Sequence, residues 1–227
     1  MHIEACVENP ADGLLAEQAG ATRIELNAAL QLDGLTPSPA ACRWLTSHCQ
    51  VPVIAMLRPH ARSFTLSRLD QQLALADCEL LLDCGVHGIA CGALDHHGEL
   101  NLEFFRQVAG LCGSCELVCH RAFDHLSDQR RGLEQLIDCG VRRVLTSGGP
   151  RSAYEGTPRL RQLVDWARGR IEILPAGGIT AQNARSLLQS TGCNQLHGTF
   201  RTLNPVAAPG GGLDPDHLRA VVAACAY

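Results

Sequence analysis

Gly140-Val141-Arg142-Arg143-Val144 carries the pattern that decides how this chain folds: a glycine that stops a helix, a short link, then the start of an apolar, β-branched strand. Glycine accepts the left-handed conformation in which helices commonly end, so the pattern marks a helix-to-strand junction. It recurs as Gly20-Ala21-Thr22-Arg23-Ile24, Gly85-Val86-His87-Gly88-Ile89 and Gly192-Cys193-Asn194-Gln195-Leu196. Each copy precedes an even-numbered strand, and the spacing is not that of a solenoid repeat.

The odd-numbered strands fall between these copies. Ile3 to Cys6 reads as the first strand, with Asn9-Pro10 opening a helix to Gly20 through an N-cap side chain and a ring at the first helical position. Arg23 to Asn27 alternates as a second strand, Ser38-Pro39 opens a helix, and Val51 to Leu57 is a third strand closed by Arg58-Pro59. Leucines at helical spacing fill Leu66 to Cys84, followed by strand four at Val86 to Gly92 and a helix at Asn101 to Leu111. Glu116 to Arg121 is strand five, Asp128 to Cys139 a helix, Arg143 to Ser147 strand six, and Thr157-Pro158 starts the next helix. Glu172 to Pro175 is strand seven, Thr180 is expected to cap a helix to Ser190, Gln195 to His197 is strand eight, and Asp214-Pro215 starts the last helix. Parallel strands need a crossover helix between neighbours, and eight such units close well. The expected fold is α/β, a single (β/α)8 TIM barrel over residues 1–227. An open doubly wound sheet would want a glycine fingerprint after the first strand, where the chain has Val7-Glu8-Asn9.

A hydrophobic share of 46% against 19% charged residues supplies material for a large core and argues against disorder. Net charge is −4 with acids and bases interspersed, which excludes a strongly basic nucleic-acid surface. No apolar run approaches the roughly 20 residues that span a bilayer, and no charged segment precedes an apolar one at the start, so neither a membrane span nor a signal peptide is expected. The twelve cysteines are scattered singly through apolar segments, the usage of a cytoplasmic chain with reduced, buried thiols. Cys112-Gly113-Ser114-Cys115 has redox or metal spacing without a second pair to complete it. Pro209 to Gly212 reads as a flexible connection.

Strand ends on one face of such a barrel carry its chemistry. Alternation turns Ile3, Ile24 and Leu26 toward the helices and Glu4, Cys6, Glu25 and Asn27 into the barrel. His197 faces opposite to Leu196, Arg58 ends strand three, and Leu117-Val118-Cys119-His120-Arg121-Ala122-Phe123-Asp124 breaks from an apolar strand into imidazole, guanidinium and carboxylate. Parity does not separate His120 from Arg121 where the chain turns. Glu4, Glu25, Arg58, His120, Arg121, Asp124 and His197 are therefore the catalytic candidates. The same charges are also accounted for by mutual neutralisation, Glu4 and Glu25 against Arg58 and the imidazoles. Ser147, Gly177, Gly178 and Gly198 lie at the exits of strands six to eight, where glycine lets amides approach a small anion.

Glu4-Ala5-Cys6, Arg23-Ile24-Glu25-Leu26, Gly34-Leu35-Thr36-Pro37-Ser38, Arg58-Pro59, His120-Arg121-Ala122-Phe123-Asp124, Arg143-Val144-Leu145-Thr146-Ser147-Gly148 and Gly177-Gly178-Ile179 together resemble the CutC family of copper homeostasis proteins, from Ile3 to about Arg201. The resemblance implies a cytoplasmic TIM barrel, a homo-oligomer, linked to copper tolerance and able to bind Cu(I). Cys6 would be its metal anchor, with His197 or Cys91 as co-ligand. Family members often have a cysteine where this chain has Asn27, and Cu(I) prefers soft sulfur ligands. The alternative from the residues themselves is an isomerase, lyase or hydrolase acting on a small anionic or phosphorylated metabolite. A variant has Glu4, Glu25, His120 and His197 holding a divalent ion.

Overall fold

The computed structural model describes residues 1–149, 151–201 and 212–226. Among these, eight strands alternate with eight α-helices: β1 (His2–Val7), α1 (Pro10–Gln18), β2 (Arg23–Leu26), α2 (Pro39–His48), β3 (Val53–Leu57), α3 (Arg68–Leu82), β4 (Gly88–Cys91), α4 (Leu102–Cys112), β5 (Glu116–Cys119), α5 (Gln129–Asp138), β6 (Arg143–Thr146), α6 (Thr157–Ala167), β7 (Glu172–Pro175), α7 (Ala184–Thr191), β8 (Gln195–Gly198) and α8 (Pro215–Cys225). All pairs are parallel, in the order β7-β6-β5-β4-β3-β2-β1-β8. A single bridge, Ala176 to His197, closes the ring between β7 and β8. Pro175 offers no N–H at this seam. The Gln195 side chain reaches across it instead, to Glu172 Oε2 at 3.2 Å and the Ile173 carbonyl at 3.4 Å.

Local chemistry sets the joints. Asn9, Ser38 and Asp214 each cap a helix with a side-chain oxygen, and a proline follows each of them. Gly20, Gly85, Gly140 and Gly192 all sit at positive φ ahead of β2, β4, β6 and β8, as their recurring pattern requires. Two details differ from expectation. Thr180 does not cap α7: it precedes a turn in which its N–H donates to Asn183 Oδ1 at 2.9 Å, and α7 begins only at Ala184. Strand five ends at Cys119, and residues Arg121–His125 coil into a 3-10 turn with His120 at its N-cap. The Pro209–Gly212 connection lies, except for Gly212, outside the described residues.

Outward-facing strand residues such as Ile3, Ile24, Val53, Ile89 and Val144 pack with the helices into the main apolar layer. Each such burial removes apolar surface worth about 1.5–3 kcal/mol per side chain. The barrel interior is divided. Ile54, Met56, Ala90, Val118, Leu145, Leu174 and Ala176 form an apolar cluster on β3 to β7. Glu4, Cys6, Arg23, Glu25, Asn27, Gln195 and His197, all buried, fill the β8-β1-β2 side. Arg143 seals the N-terminal end between Glu116 (2.9 Å) and Glu172 (3.1 Å).

Gly156, at the start of α6, shows how tightly one strand exit is held, because a Cβ there would overlap the Ser147 carbonyl oxygen. Gly156→Ala is expected to cost at least about 2 kcal/mol in urea unfolding. Gly110→Ala, in an exposed turn of α4 with nothing within 4 Å, is expected to be neutral or to gain about 0.5–1 kcal/mol.

Candidate functional site

Register brings the polar residues together. Parallel pairing sets Glu4 beside Arg23 and Cys6 beside Glu25 across β1 and β2, and Glu4 beside His197 across β1 and β8. Arg23 Nε donates to Glu4 Oε2, and Arg23 Nη2 donates to Gln195 Oε1 at 2.9 Å. Glu4 Oε1 lies 2.7 Å from His197 Nδ1, while His197 Nε2 stands 3.9 Å from Glu25 Oε2. Asn27 Nδ2 donates to Glu25 Oε2 at 2.9 Å and to Cys6 Sγ at 3.3 Å. The result is a chain of contacts from Arg23 through Glu4 and His197 to Glu25 and Cys6.

The charges along it are unequal. Burial pushes Glu4 upward, but Arg23 and His197 together outweigh it and hold the carboxyl well below the usual range. Glu25 is moved up by burial and by the Glu4 charge, against the pull of His197. His197 is opposed by burial yet raised by Glu25 and Glu4. Cys6 is pushed well above the ordinary thiol value by burial and by the neighbouring Glu25, so its thiol is protonated.

Cys6, Glu25, Asn27 and His197 form one wall of a cavity of about 930 Å³ at the C-terminal mouth, lined also by Met56, Leu145 and Ala176 below and by Arg58, His120, Arg121, Asp124, His125, Arg151, Gly177, Gly178, Thr199, Arg201 and His217 around it. Four residues of this lining end in buried polar atoms without a hydrogen-bond partner among the described residues: Glu25 Oε1, Asn27 Oδ1, Arg58 Nε and His120 Nε2. Buried polar atoms are normally paired, and these four are shielded from solvent although their residues line the cavity. The backbone amides of Gly177, Gly178 and Ile179 also find no acceptor among the described residues, and both glycines have positive φ. A Cβ on Gly177 would come within 2.8 Å of the Arg151 carbonyl oxygen.

His120 is locked as a neutral donor. Its Nδ1 accepts from the Ala122 N–H at 3.1 Å, which leaves the ring proton on Nε2, and burial with the nearby Arg58 takes its pKa down to about 3. A Cβ on Gly92 would overlap this imidazole, so glycine there makes its room.

Several expected candidates serve the frame. Arg58 does not neutralise Glu4 or Glu25; its Nη1 donates to the carbonyls of Leu32, Asp33 and Gly34 at 3.0–3.1 Å, because the chain has already turned at Pro59. Asp124 accepts from Arg121 Nε at 2.8 Å, from Ser147 N and Oγ, and from Thr146 Oγ1. It braces β5 against β6, and Ser147 is engaged there instead of lining the cavity. Cys91 lies in the outer apolar layer, since Ala90 is the inward residue of β4, and it is no co-ligand for Cys6. Gly177, Gly178 and Gly198 do line the mouth. Arg23 shares the parity that placed Glu25 inside, and that signal identifies it. Arg151, Arg201 and His217 lie on loops and a helix start, where no periodicity reports direction.

Cys6, Glu25 and His197 place one ligand atom each within 4.8 Å of the others. No helix of the described residues is long and apolar enough to cross a membrane.

The family model described as the CutC family matches residues 1–202. A CutC family protein of Treponema denticola is 40% identical over 195 residues, covering 86% of this chain and 79% of that protein. The copper homeostasis protein cutC homolog of Mus musculus is 37% identical, covering 88% and 74%. The crystal structure of CutC from Streptococcus agalactiae superposes with a TM-score of 0.84 at 29% identity, over 88% of this chain and 98% of that one.

The depressed pKa of His120 has a stability consequence. Below pH 6.5 the unfolded imidazole takes a proton that the folded one refuses until about pH 3, so this group lowers stability as pH falls through that window, by up to about 1.4 kcal/mol per unit. Asn at 120 keeps an acceptor for the Ala122 N–H but does not titrate. Urea unfolding at pH 7, 5.5 and 4.5 is expected to show a shallower acid loss for His120→Asn; parallel losses in the two proteins would refute the neutral imidazole.

Proposed function

The chain belongs to the CutC family, and on that premise we propose that its barrel mouth binds a small anionic metabolite and carries out acid–base chemistry on it. One observation carries this reading: Glu25, His120 and His197 line a single cavity of about 930 Å³ together with Arg58, Arg151 and Arg201, so acid–base groups and cations share one mouth. A cavity of this size takes a small organic molecule, and the mix of donors and acceptors suits one bearing carbonyl and hydroxyl groups. Arg151 and the amides of Gly177 to Ile179, which find no acceptor among the described residues, supply positive potential for an anionic end such as phosphate, beside Arg201, which is paired with Glu8 at 3.2 Å. Glu25 is the acid–base group, with His120 as hydrogen-bond donor.

The copper homeostasis name of the relatives supports a second reading, a metal at Cys6, Glu25 and His197. One thiol, one carboxylate and one imidazole suit a borderline divalent ion better than Cu(I), which favours paired sulfur ligands. Asn27 offers amide hydrogens to Cys6 Sγ and Glu25 Oε2, two of the groups that would have to turn to a cation. This donor set does not fit Cu(I).

Inorganic phosphate at millimolar concentration is expected to raise the melting temperature of the wild type by a few degrees, and Arg151→Ala is expected to lose most of that rise. No rise in the wild type would contradict the anion-binding reading. In a Cu(I) competition against a chelator, wild type and Cys6→Ala are expected to retain copper equally; tight binding by the wild type alone would favour the second reading.

A further inference from the structure

Few large apolar side chains stay exposed among the described residues, and three of them share one helix. Leu69, Leu73 and Leu80 of α3 are 63%, 52% and 52% exposed, and Ala76 between them is exposed as well. Steps of four, three and four residues place these side chains on one stripe of the outer face, while Ala74, Cys78 and Leu81 face the barrel. Apolar residues spaced in this way form the seam through which one helix packs against another. A lone exposed leucine needs no explanation, but a row of them marks a contact surface.

Charge marks the two ends of the same face. Arg68 stands in the first turn of α3, Glu79 in the last, and Asp83 at the C-cap. All three are exposed and, at 100° per residue, lie on one flank of the stripe. None of them makes an ion pair among the described residues. Glu79 and Asp83, four residues apart, repel each other on an isolated helix and lack a cation between them. Asp70 and Asp77 lie half-buried on the other flank, and Asp70 already faces His60 at 3.3 Å.

We propose that this face is the contact between two copies of the chain, with α3 packed antiparallel on α3 of the second copy about a two-fold axis midway between Leu73 and Ala76. Leu69 of each copy then meets Leu80 of the other, and Leu73 meets Ala76, whose small side chain makes room for it. Arg68 meets Glu79 and Asp83 of the other copy, so the unpaired cation and the unpaired acids answer each other. The two-fold makes every contact occur twice. A parallel pairing would set Arg68 against Arg68 and Glu79 against Glu79, so the charges select the antiparallel direction. With 15 residues α3 is about 22 Å long, and one such helix pair with its flanks sits near the lower limit of about 1,000 Å² for a specific interface. The dimer is therefore a weak one, and it leaves the cavity mouth out of the contact.

Analytical ultracentrifugation of the full chain from about 1 to 500 µM tests this, and a monomer–dimer equilibrium with a micromolar dissociation constant is expected. Leu73→Lys is expected to raise that constant by at least about 10-fold. Because Leu73 is exposed in the monomer, the variant is expected to keep the wild-type melting temperature in dilute solution, which separates lost association from lost folding. Arg68→Glu is expected to weaken the dimer several-fold, and adding Glu79→Arg to it to recover most of the loss, as only an antiparallel contact allows. A wild type that stays monomeric at about 500 µM would overturn the proposal. So would a dimer that Leu73→Lys leaves intact, since its contact then lies on another face. A double variant that associates no more tightly than Arg68→Glu would overturn the antiparallel arrangement.

Discussion

The contact on which the barrel interior depends is the buried ion pair of Arg23 with Glu4, extended by His197. Burying these charges is costly, and it is tolerated because nearly every polar atom finds a partner: Arg23 also donates to Gln195, and Glu4 gives its second oxygen to the imidazole. The pair spans β1 and β2 and, through His197, β8, on the side where the ring closes with only one bridge to β7. A one-residue slip in register would turn these side chains toward the helices, so the network fixes alignment as well as charge.

Its second effect is on Glu25. Because Arg23 and His197 keep Glu4 ionised, the Glu4 charge adds to burial in raising Glu25, while Asn27 holds one of its oxygens. The opposite wall has the reverse character, with the apolar cluster of β3 to β7 and a single neutral donor, His120. Arg121, Arg151 and Arg201 stand around the rim. Such an arrangement suits a small polar molecule more than a soft metal ion.

Much of this was legible in the sequence wherever a strict period operates. Alternation along β1, β2 and β8 placed Glu4, Cys6, Glu25, Asn27 and His197 on one interior, and the repeated glycine junctions located the even strands. The period says less where strands end. Arg58, Arg121 and Asp124 stand just past strand ends, where backbone turning decides direction; they line the mouth, as expected, and also bind neighbouring segments. Arg23 was available to the same parity as Glu25, but the neutralising role was expected of Arg58. Thr180 had the chemistry of a cap, yet an intervening turn displaced the helix to Ala184. Cys91 needed the inward parity of Ala90 to be excluded.

The central claim is that Arg23 and Glu4 are energetically one unit. A double-mutant cycle with Arg23→Met and Glu4→Gln, read by urea unfolding at pH 7, tests it most directly. Each single change is expected to cost about 3–5 kcal/mol, since it strands a buried charge or disrupts its partners, and the double variant to recover a coupling of at least about 2 kcal/mol. Additive losses, with coupling below about 0.5 kcal/mol, would contradict the account.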